Sequence, residues 1–427
     1  MDNYLYDKCT NEKLFYKTLP SGLKCYIIPK HGFREKQAAV CVRYGAVDNI
    51  FSLNGQKHEL PAGVAHFLEH KLFEDEKVNI SEEFAKKGVM NNAYTNATTT
   101  AYYFNGADNF YDCLDLLLDM TEKPYFTDEN VENEKRIIEQ EIEMYTDDPG
   151  WRVYYQALRG GYDKHPICEY IAGDAETIRR IDKDMLYNCY DAFYKPDNMA
   201  VVCVGDDIDP EKVFKAAGKR FCGRGDFSTE RIYKAQETAE KTVNIENNRI
   251  ITKMNLSAPR FCIVFKAADR GQKRRKTPED IAAAKILLDV FAGESSSFYS
   301  EMYADGIIDN GFSFDYIYGP EYAHAVFAGE SAKCEKVYEK ILDRAEYLIK
   351  NGIDKNDIER IKKKHIGRII RGFNYIDATA NGAIDCFARG FGLFDMSAAY
   401  NNVTEEVVNK SLLALFRAKE SLLSVVH

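Results

Sequence analysis

The feature of this sequence that most constrains its fold is an order of predicted elements that occurs twice. Alternating or β-branched runs predict strands, and apolar residues at helical spacing predict helices. The first occurrence comprises strands at 23–28 and 38–44, a helix at 63–73, a short helix capped by Ser81 and ending at Gly88, strands at 90–95 and 99–104, helices at 109–121 and 128–145, and a strand at 198–204. The second comprises a strand at 261–266, a helix at 277–291, strands at 311–318 and 323–329, and long helices from Lys333 onward. The recurrence predicts two similarly folded α+β halves, because each sheet must be covered by helices.

The length of the chain also favours two domains. Its 427 residues exceed the roughly 250–300 residues at which a single hydrophobic core stops growing. Residues 226–248 are polar and charged, without a persistent apolar period, which is typical of a connection. We therefore predict a first domain at 1–225, a linker at 226–248 and a second domain at 249–427.

Composition excludes several classes of protein. A net charge of −10 argues against a broad nucleic-acid surface, and no run approaches the roughly 18 apolar residues that span a bilayer. The residues from Met1 to Cys9 have no basic segment followed by an apolar one, so they do not resemble a secretory signal. Eleven scattered cysteines without a C-x-x-C pair fit reduced thiols. We predict a cytoplasmic protein that binds neither nucleic acid nor membranes.

Two histidines carry the strongest chemical signal. His66 and His70 are four residues apart on a predicted helix, so both imidazoles project from one face. Glu69 borders that face. Two nitrogen ligands with a carboxylate beside them suit a zinc ion and its activated water. The alternative is a histidine pair that makes ordinary hydrogen bonds.

A third ligand is expected from the helix at 128–145. Glu134 and Glu141 are seven residues apart and interrupt an otherwise apolar stripe. Burial of a carboxylate there is costly unless something pairs with it, and a metal would remove that cost. The open alternative is that both are surface residues at the margin of the core. Three further glutamates of the helix are predicted to be solvated: Glu132, Glu139 and Glu143.

These runs resemble the pitrilysin or insulinase family of zinc peptidases, the inverzincins of M16 type, which carry H-x-x-E-H. HFLEH at 66–70 is similar to the first family motif, and EKRIIEQE at 134–141 is similar to the second. The resemblance implies one zinc ion per chain, held by His66, His70 and Glu141. It makes Glu69 the general base that activates the zinc-bound water, and Glu134 a supporting acidic residue of the catalytic site.

The resemblance also implies a substrate site and an architecture. NAYT at 92–95 is similar to a family strand that pairs with peptide substrate, so Asn92, Ala93 and Tyr94 become substrate-binding candidates. The expected fold has two halves, each a mainly antiparallel sheet packed against helices, facing each other across a substrate chamber. The first half would be catalytic, and the second a metal-free wall. The implied activity is zinc-dependent endopeptidase cleavage of short or unfolded peptides.

One part of the family pattern is missing from the second half. Family members with a complete site place an arginine and a tyrosine there, but the strand at 322–329 contains no arginine. Some small bacterial processing-peptidase-like relatives work as pairs, so we hypothesise that this chain is the zinc-bearing member of a homo- or heterodimer. His324 is a weaker substitute for the arginine. The rival function is a non-catalytic scaffold or partner subunit; a metal-dependent hydrolase of non-peptide substrates has no residue in its favour.

Overall fold

The structure is a computed structural model, and it describes residues 4–76, 78–162, 165–221, 228–232, 248–267 and 276–427. Its strands are β1 (Tyr4–Asp7), β2 (Glu12–Thr18), β3 (Lys24–Pro29), β4 (Lys36–Val42), β5 (Ile50–Leu53), β6 (Gln56–Glu59), β7 (Met90–Thr95), β8 (Thr100–Gly106), β9 (Met199–Gly205), β10 (Thr229–Arg231), β11 (Arg249–Thr252), β12 (Arg260–Lys266), β13 (Ser313–Gly319), β14 (Tyr322–Glu330) and β15 (Ser421–Val426). Its helices are α1 (Val64–Lys71), α2 (Ile80–Lys86), α3 (Phe110–Glu122), α4 (Asp128–Thr146), α5 (Pro149–Gly161), α6 (Ala175–Arg179), α7 (Lys183–Phe193), α8 (Pro210–Gly218), α9 (Pro278–Ala292), α10 (Ser297–Ala304), α11 (Cys334–Asn351), α12 (Lys355–Gly372), α13 (Ile376–Arg389), α14 (Asp395–Asn402) and α15 (Glu405–Leu415).

The chain forms two compact units, neither of which is contiguous in sequence. Unit 1 comprises Met1–Ile142, Tyr170–Tyr233 and Ile369–Phe394, and unit 2 comprises Glu143–Glu169, Lys234–Arg368 and Asp395–His427. The predicted linker at 226–248 lies mostly outside the described residues, so the division at 1–225 and 249–427 stays a prediction.

Unit 1 is built on a seven-stranded sheet in the order β1-β2-β3-β9-β4-β8-β7. Neighbouring strands are antiparallel except for β3 and β9, which are parallel. Strand β9 reads MAVVCVG and is buried along its whole length, as a continuous apolar run predicts for a strand covered on both faces. One of those faces contributes to a large core with helices α1–α4, α7 and α8.

Unit 2 repeats this topology in five strands. Its sheet has the order β11-β15-β12-β14-β13, and β11 and β15 are parallel while the other neighbours are antiparallel. In unit 1 the strands β3-β9-β4-β8-β7 have the same chain order, the same spatial order and the same directions. The prediction of two similarly folded, antiparallel-rich α+β halves is therefore confirmed.

Helix α13 covers the second face of the unit 1 sheet, although it comes from the later half of the chain. Its residues Ile376, Ala380, Ile384 and Phe387 recur at helical spacing and pack with β4 and β9 residues in one buried cluster. The sequence order of elements did not reveal this exchange, because helical periodicity identifies an apolar face but not the sheet that it covers.

Helix α5 has the corresponding place in unit 2, although it comes from the earlier half of the chain. Val153 and Ala157 pack with residues of β12 and β15. A Cβ atom at Gly160 would lie 2.6 Å from the Leu422 side chain, so the helix approaches the sheet closely and a larger residue there would require that side chain to shift. Each sheet is thus completed by a helix from the other half of the sequence.

Most of the predicted elements are present with small shifts of their ends. Strand β7 has the predicted bounds, and α4 extends one residue beyond them. The prediction that Ser81 caps α2 is wrong: the cap is Asn79, whose side chain accepts a hydrogen bond from Glu82 N. Among the described residues, no helix is long and apolar enough to cross a membrane.

Buried histidines make unit 2 sensitive to acid. His324 is fully buried, with Nδ1 2.9 Å from the hydroxyl of Tyr162, which in turn donates to the carbonyl of Ala323. Burial lowers the pKa of His324 to about 3 and that of His165 to about 4. Both rings are therefore neutral in the folded protein at a pH where the unfolded chain binds protons.

We expect the free energy of unfolding to fall as pH decreases from about 6.5 towards 4, by up to about 1.4 kcal/mol per pH unit for each of these histidines. Their stabilisation is complete above the unfolded pKa and is lost towards the folded pKa values. Urea unfolding of wild type and of His324→Gln at pH 7 and pH 5 measures it. The variant should show the smaller pH effect. Equal pH effects in the two proteins contradict the prediction.

Candidate metal centre

Helix α1 begins at a position that requires glycine. Gly63 has a φ of 93°, and a Cβ atom there would lie 2.6 Å from the carbonyl oxygen of Ala172. Phe67 and Leu68 are fully buried and anchor the helix in the core of unit 1. This anchoring holds the remaining face of α1, which carries the two histidines.

Helix α4 supplies the carboxylates. Val131, Ile138 and Ile142 are buried in the core of unit 1, and Glu134 is buried in the same stripe at 6% exposure. Glu141 is half-buried. The alternative that both glutamates are surface residues therefore fails for Glu134.

Three other glutamates of α4 were predicted to be solvated. Glu132 and Glu143 are exposed, as predicted. Glu139 is half-buried and pairs with Arg179 at 2.8 Å, so its charge is neutralised by an ion pair rather than by solvent alone.

The structure brings His66, His70 and Glu141 together. Nε2 of His66 lies 3.6 Å from Oε1 of Glu141, and Nε2 of His70 lies 3.5 Å from Oε2 of the same carboxylate. All three ligand atoms lie within 4.8 Å of one another. A tetrahedral zinc site with bonds of about 2.1 Å separates its ligand atoms by about 3.4 Å. The donor set and its spacing therefore fit a zinc ion.

Glu134 orients one of these histidines. Its Oε1 lies 2.9 Å from Nδ1 of His70. A carboxylate only accepts hydrogen bonds, so Nδ1 is the ring nitrogen that donates to Glu134, and Nε2, on the side of Glu141, is the one left for a metal. Burial opposes ionisation of Glu134, but the hydrogen bond to His70 and the positive charges of His70 and Lys71 outweigh it and lower the pKa of Glu134.

His66 is held differently. Its Nδ1 is buried and has no hydrogen-bond partner among the residues that the structure describes. Its ring packs beside that of His70, with the ring centres 4.6 Å apart. The orientation of His66 therefore depends on the packing of α1, whereas that of His70 depends on Glu134.

Glu69 lies beside this cluster and is 7% exposed. Burial raises the pKa of Glu69, and the neighbouring His66 and the Thr95 hydroxyl partly oppose that rise. The Thr95 hydroxyl donates a hydrogen bond to Oε2 of Glu69 at 2.6 Å. Thr95 was not among the candidate site residues predicted from the sequence. Its place at the end of the NAYT run was the available signal for a role beside Glu69.

The predicted substrate-binding residues lie on strand β7, which ends at Thr95. This strand is at one edge of the seven-stranded sheet. The side-chain oxygen of Asn92 accepts a hydrogen bond from Ala93 N at 2.8 Å, and Tyr94 packs on the α13 side of the sheet. The structure thus places all three residues on an edge strand that leads to Glu69, and their binding role stays a prediction.

The role of His324, the weaker substitute for an arginine considered from the sequence, is explained by local structure. His324 is fully buried and hydrogen-bonded to Tyr162, which supports a packing role rather than replacement of an arginine.

Sequence comparison associates the chain with proteins that are named as zinc proteases. The family model described as "Insulinase (Peptidase family M16)" matches residues 54–172, and "Peptidase M16 inactive domain" matches residues 180–364. The chain is 33% identical to the "Uncharacterized zinc protease YmfH" of Bacillus subtilis, over 93% of this chain and 92% of the relative. It is 26% identical to the "Uncharacterized zinc protease YmxG" of the same organism, over 74% and 76% of the two chains.

Comparison of structures leads to the same group of proteins. A putative M16-like peptidase from Alicyclobacillus acidocaldarius matches with a TM-score of 0.90 and 31% identity, over 97% of this chain and 98% of that one. A protease from Helicobacter pylori matches with a TM-score of 0.79 over 97% and 100% of the two chains. At 17% identity the second match shows the shared fold only.

Proposed function

The chain belongs to the insulinase family, peptidase family M16, and on that premise we propose that it is a zinc-dependent endopeptidase that hydrolyses short or unfolded peptides. The observation that carries the proposal is the set of His66, His70 and Glu141 ligand atoms at 3.5 and 3.6 Å spacings, with the buried carboxylate of Glu69 beside them. A metal-free scaffold is expected to have lost a ligand or the base, and all four residues are present.

In this mechanism His66, His70 and Glu141 hold one zinc ion, which when bound would polarise a water molecule and the scissile carbonyl. Glu69 accepts the proton of the attacking water and returns it to the leaving amine. Glu134 keeps His70 in the tautomer that presents Nε2. The edge of β7, with Asn92, Ala93 and Tyr94, pairs with the backbone of an extended peptide.

Metal removal tests the proposal directly. Purified protein should contain about one zinc per chain and cleave unfolded peptides at internal bonds, because the site has three protein ligands. Dialysis against a chelator should abolish cleavage, and stoichiometric zinc should restore it. The measurements are metal analysis and mass spectrometry of the peptide products. Protein that retains no zinc at neutral pH, or cleaves equally well without it, contradicts the proposal.

The proposal includes a second subunit. Strands β13 and β14 contain no arginine. This supports a homo- or heterodimer in which a partner supplies the missing substrate-contacting arginine. The same cleavage assay tests this hypothesis. If the purified chain alone is as active as any reconstituted pair, the dimer is contradicted and the zinc mechanism is left intact.

A cytoplasmic location stays a prediction.

A further inference from the structure

Two threonine hydroxyls meet at the closed end of the β7–β8 hairpin. Thr95 and Thr100 are paired directly across the two strands, so their side chains leave the same face of the sheet. The turn between them is held by Asn96, whose side-chain oxygen accepts hydrogen bonds from the backbone N–H groups of Thr98 and Thr99 at 2.8 and 2.9 Å. The hairpin therefore gives both hydroxyls a defined position.

The two hydroxyl oxygens lie close together, and each donates its proton to a different acceptor. The Thr100 hydroxyl donates to the carbonyl of Tyr44 at 2.9 Å, and its oxygen lies 3.2 Å from that of Thr95. The Thr95 hydroxyl donates to Oε2 of Glu69 at 2.6 Å. Each hydroxyl has one proton. Since Thr100 uses its proton on a carbonyl, which only accepts, the proton that reaches Glu69 belongs to Thr95.

We propose that Thr95 is a positioning residue that holds Oε2 of Glu69 and directs Oε1 towards the reacting atoms. A glutamate side chain has three rotatable bonds, and proton transfer requires its oxygen within about 3 Å of the proton donor. In the part of the chain that the structure describes, Thr95 is the hydrogen-bond partner of Glu69. The inference rests on the proposed function, in which Glu69 is the base.

The immediate surroundings are rigid enough for this task. Thr100 is fully buried, and Thr95 is half-buried. Glu69 lies on α1, whose apolar residues are anchored in the core of unit 1. The hydrogen bond between Thr95 and Glu69 therefore joins a packed helix to a paired hairpin. Catalytic geometry is maintained best when the supporting side chains belong to such elements.

The test compares Thr95→Val, which removes the hydroxyl with little change of shape, with Thr95→Ser, which keeps it. We expect Thr95→Val to lower kcat about 10- to 100-fold while KM and zinc affinity stay within about twofold of wild type, because substrate and metal contacts are unchanged. Thr95→Ser should restore kcat to within about threefold of wild type. Thr99→Val is the matched control, because Thr99 is a buried threonine of the same hairpin and its described hydrogen bonds are made by its backbone.

The outcomes separate this inference from the proposed function. Wild type that cleaves no peptide overturns both. Active wild type with an unchanged kcat in Thr95→Val overturns the positioning role and leaves the peptidase assignment intact. An equal loss in Thr95→Ser and Thr95→Val also overturns it, since the hydroxyl would then not be the group that matters. If Thr95→Val does not fold, Thr95→Ala replaces it, with the same loss of kcat and unchanged zinc affinity expected, and an unchanged kcat overturning the role.

Discussion

Glu69→Gln should lower peptide cleavage by about three orders of magnitude while the protein retains its zinc. Glutamine has nearly the shape of glutamate and still accepts the hydrogen bond that Thr95 donates to Oε2. It cannot take a proton from water at neutral pH. The variant therefore removes the base and keeps the metal ligands His66, His70 and Glu141 unaltered.

The measurements for Glu69→Gln are kcat for an unfolded peptide and zinc content of the same preparation. Full zinc occupancy with lost cleavage supports the assignment of Glu69 as base. Peptide binding should persist, because Asn92, Ala93 and Tyr94 lie on β7 and not on the helix that is altered. Cleavage at the wild-type rate would show that another group takes the proton.

Glu141→Gln should lower zinc affinity by more than about 100-fold and abolish cleavage as a consequence. The substitution replaces an anionic ligand with a weak neutral one, and carboxylates that merely support a ligand already account for about 10- to 100-fold in affinity. The two carboxylate oxygens lie 3.6 and 3.5 Å from the histidine nitrogens. Loss of that charge therefore weakens the whole donor set.

A matched control is available two residues away on the same helix. Glu143 is an exposed glutamate of α4, so Glu143→Gln makes the same chemical change without touching the candidate site. Competition with a chromophoric chelator gives the zinc affinity of wild type and both variants. Glu143→Gln should equal wild type, and equal affinities in all three proteins would remove Glu141 from the ligand set.

The sequence was a good guide to the elements and a poorer guide to their partners. The strand at 90–95 and the helix at 128–145 could be predicted because their periodicity is local. The two sheets share one topology, as the repeated order of elements predicted, because similar orders of elements form similar sheets. The sequence could not show which sheet α5 and α13 cover, because the small and apolar residues on the face of each helix fit either sheet.

The same limit applies within the candidate site. The spacing of His66 and His70 determines that both rings leave one face of a helix, because four residues make about one turn. Their approach to Glu141, and the contact of Glu134 with His70, depend on how α1 and α4 pack in the core of unit 1. Local spacing identifies these residues as candidates, and the packing of the two helices brings their side chains within contact distance.

The sequence by itself determined the two helices that carry the candidate ligands, the α+β character of both halves and the family resemblance. Only the tertiary structure decided which glutamate faces both imidazoles, which one orients His70, and that the Thr95 hydroxyl donates a hydrogen bond to Glu69. The physical reason is the difference in sequence range between the two kinds of interaction. Helical and strand periods follow from the backbone over a few residues, whereas a hydrogen bond between a helix and a hairpin is set by the packing of elements that are distant in the chain.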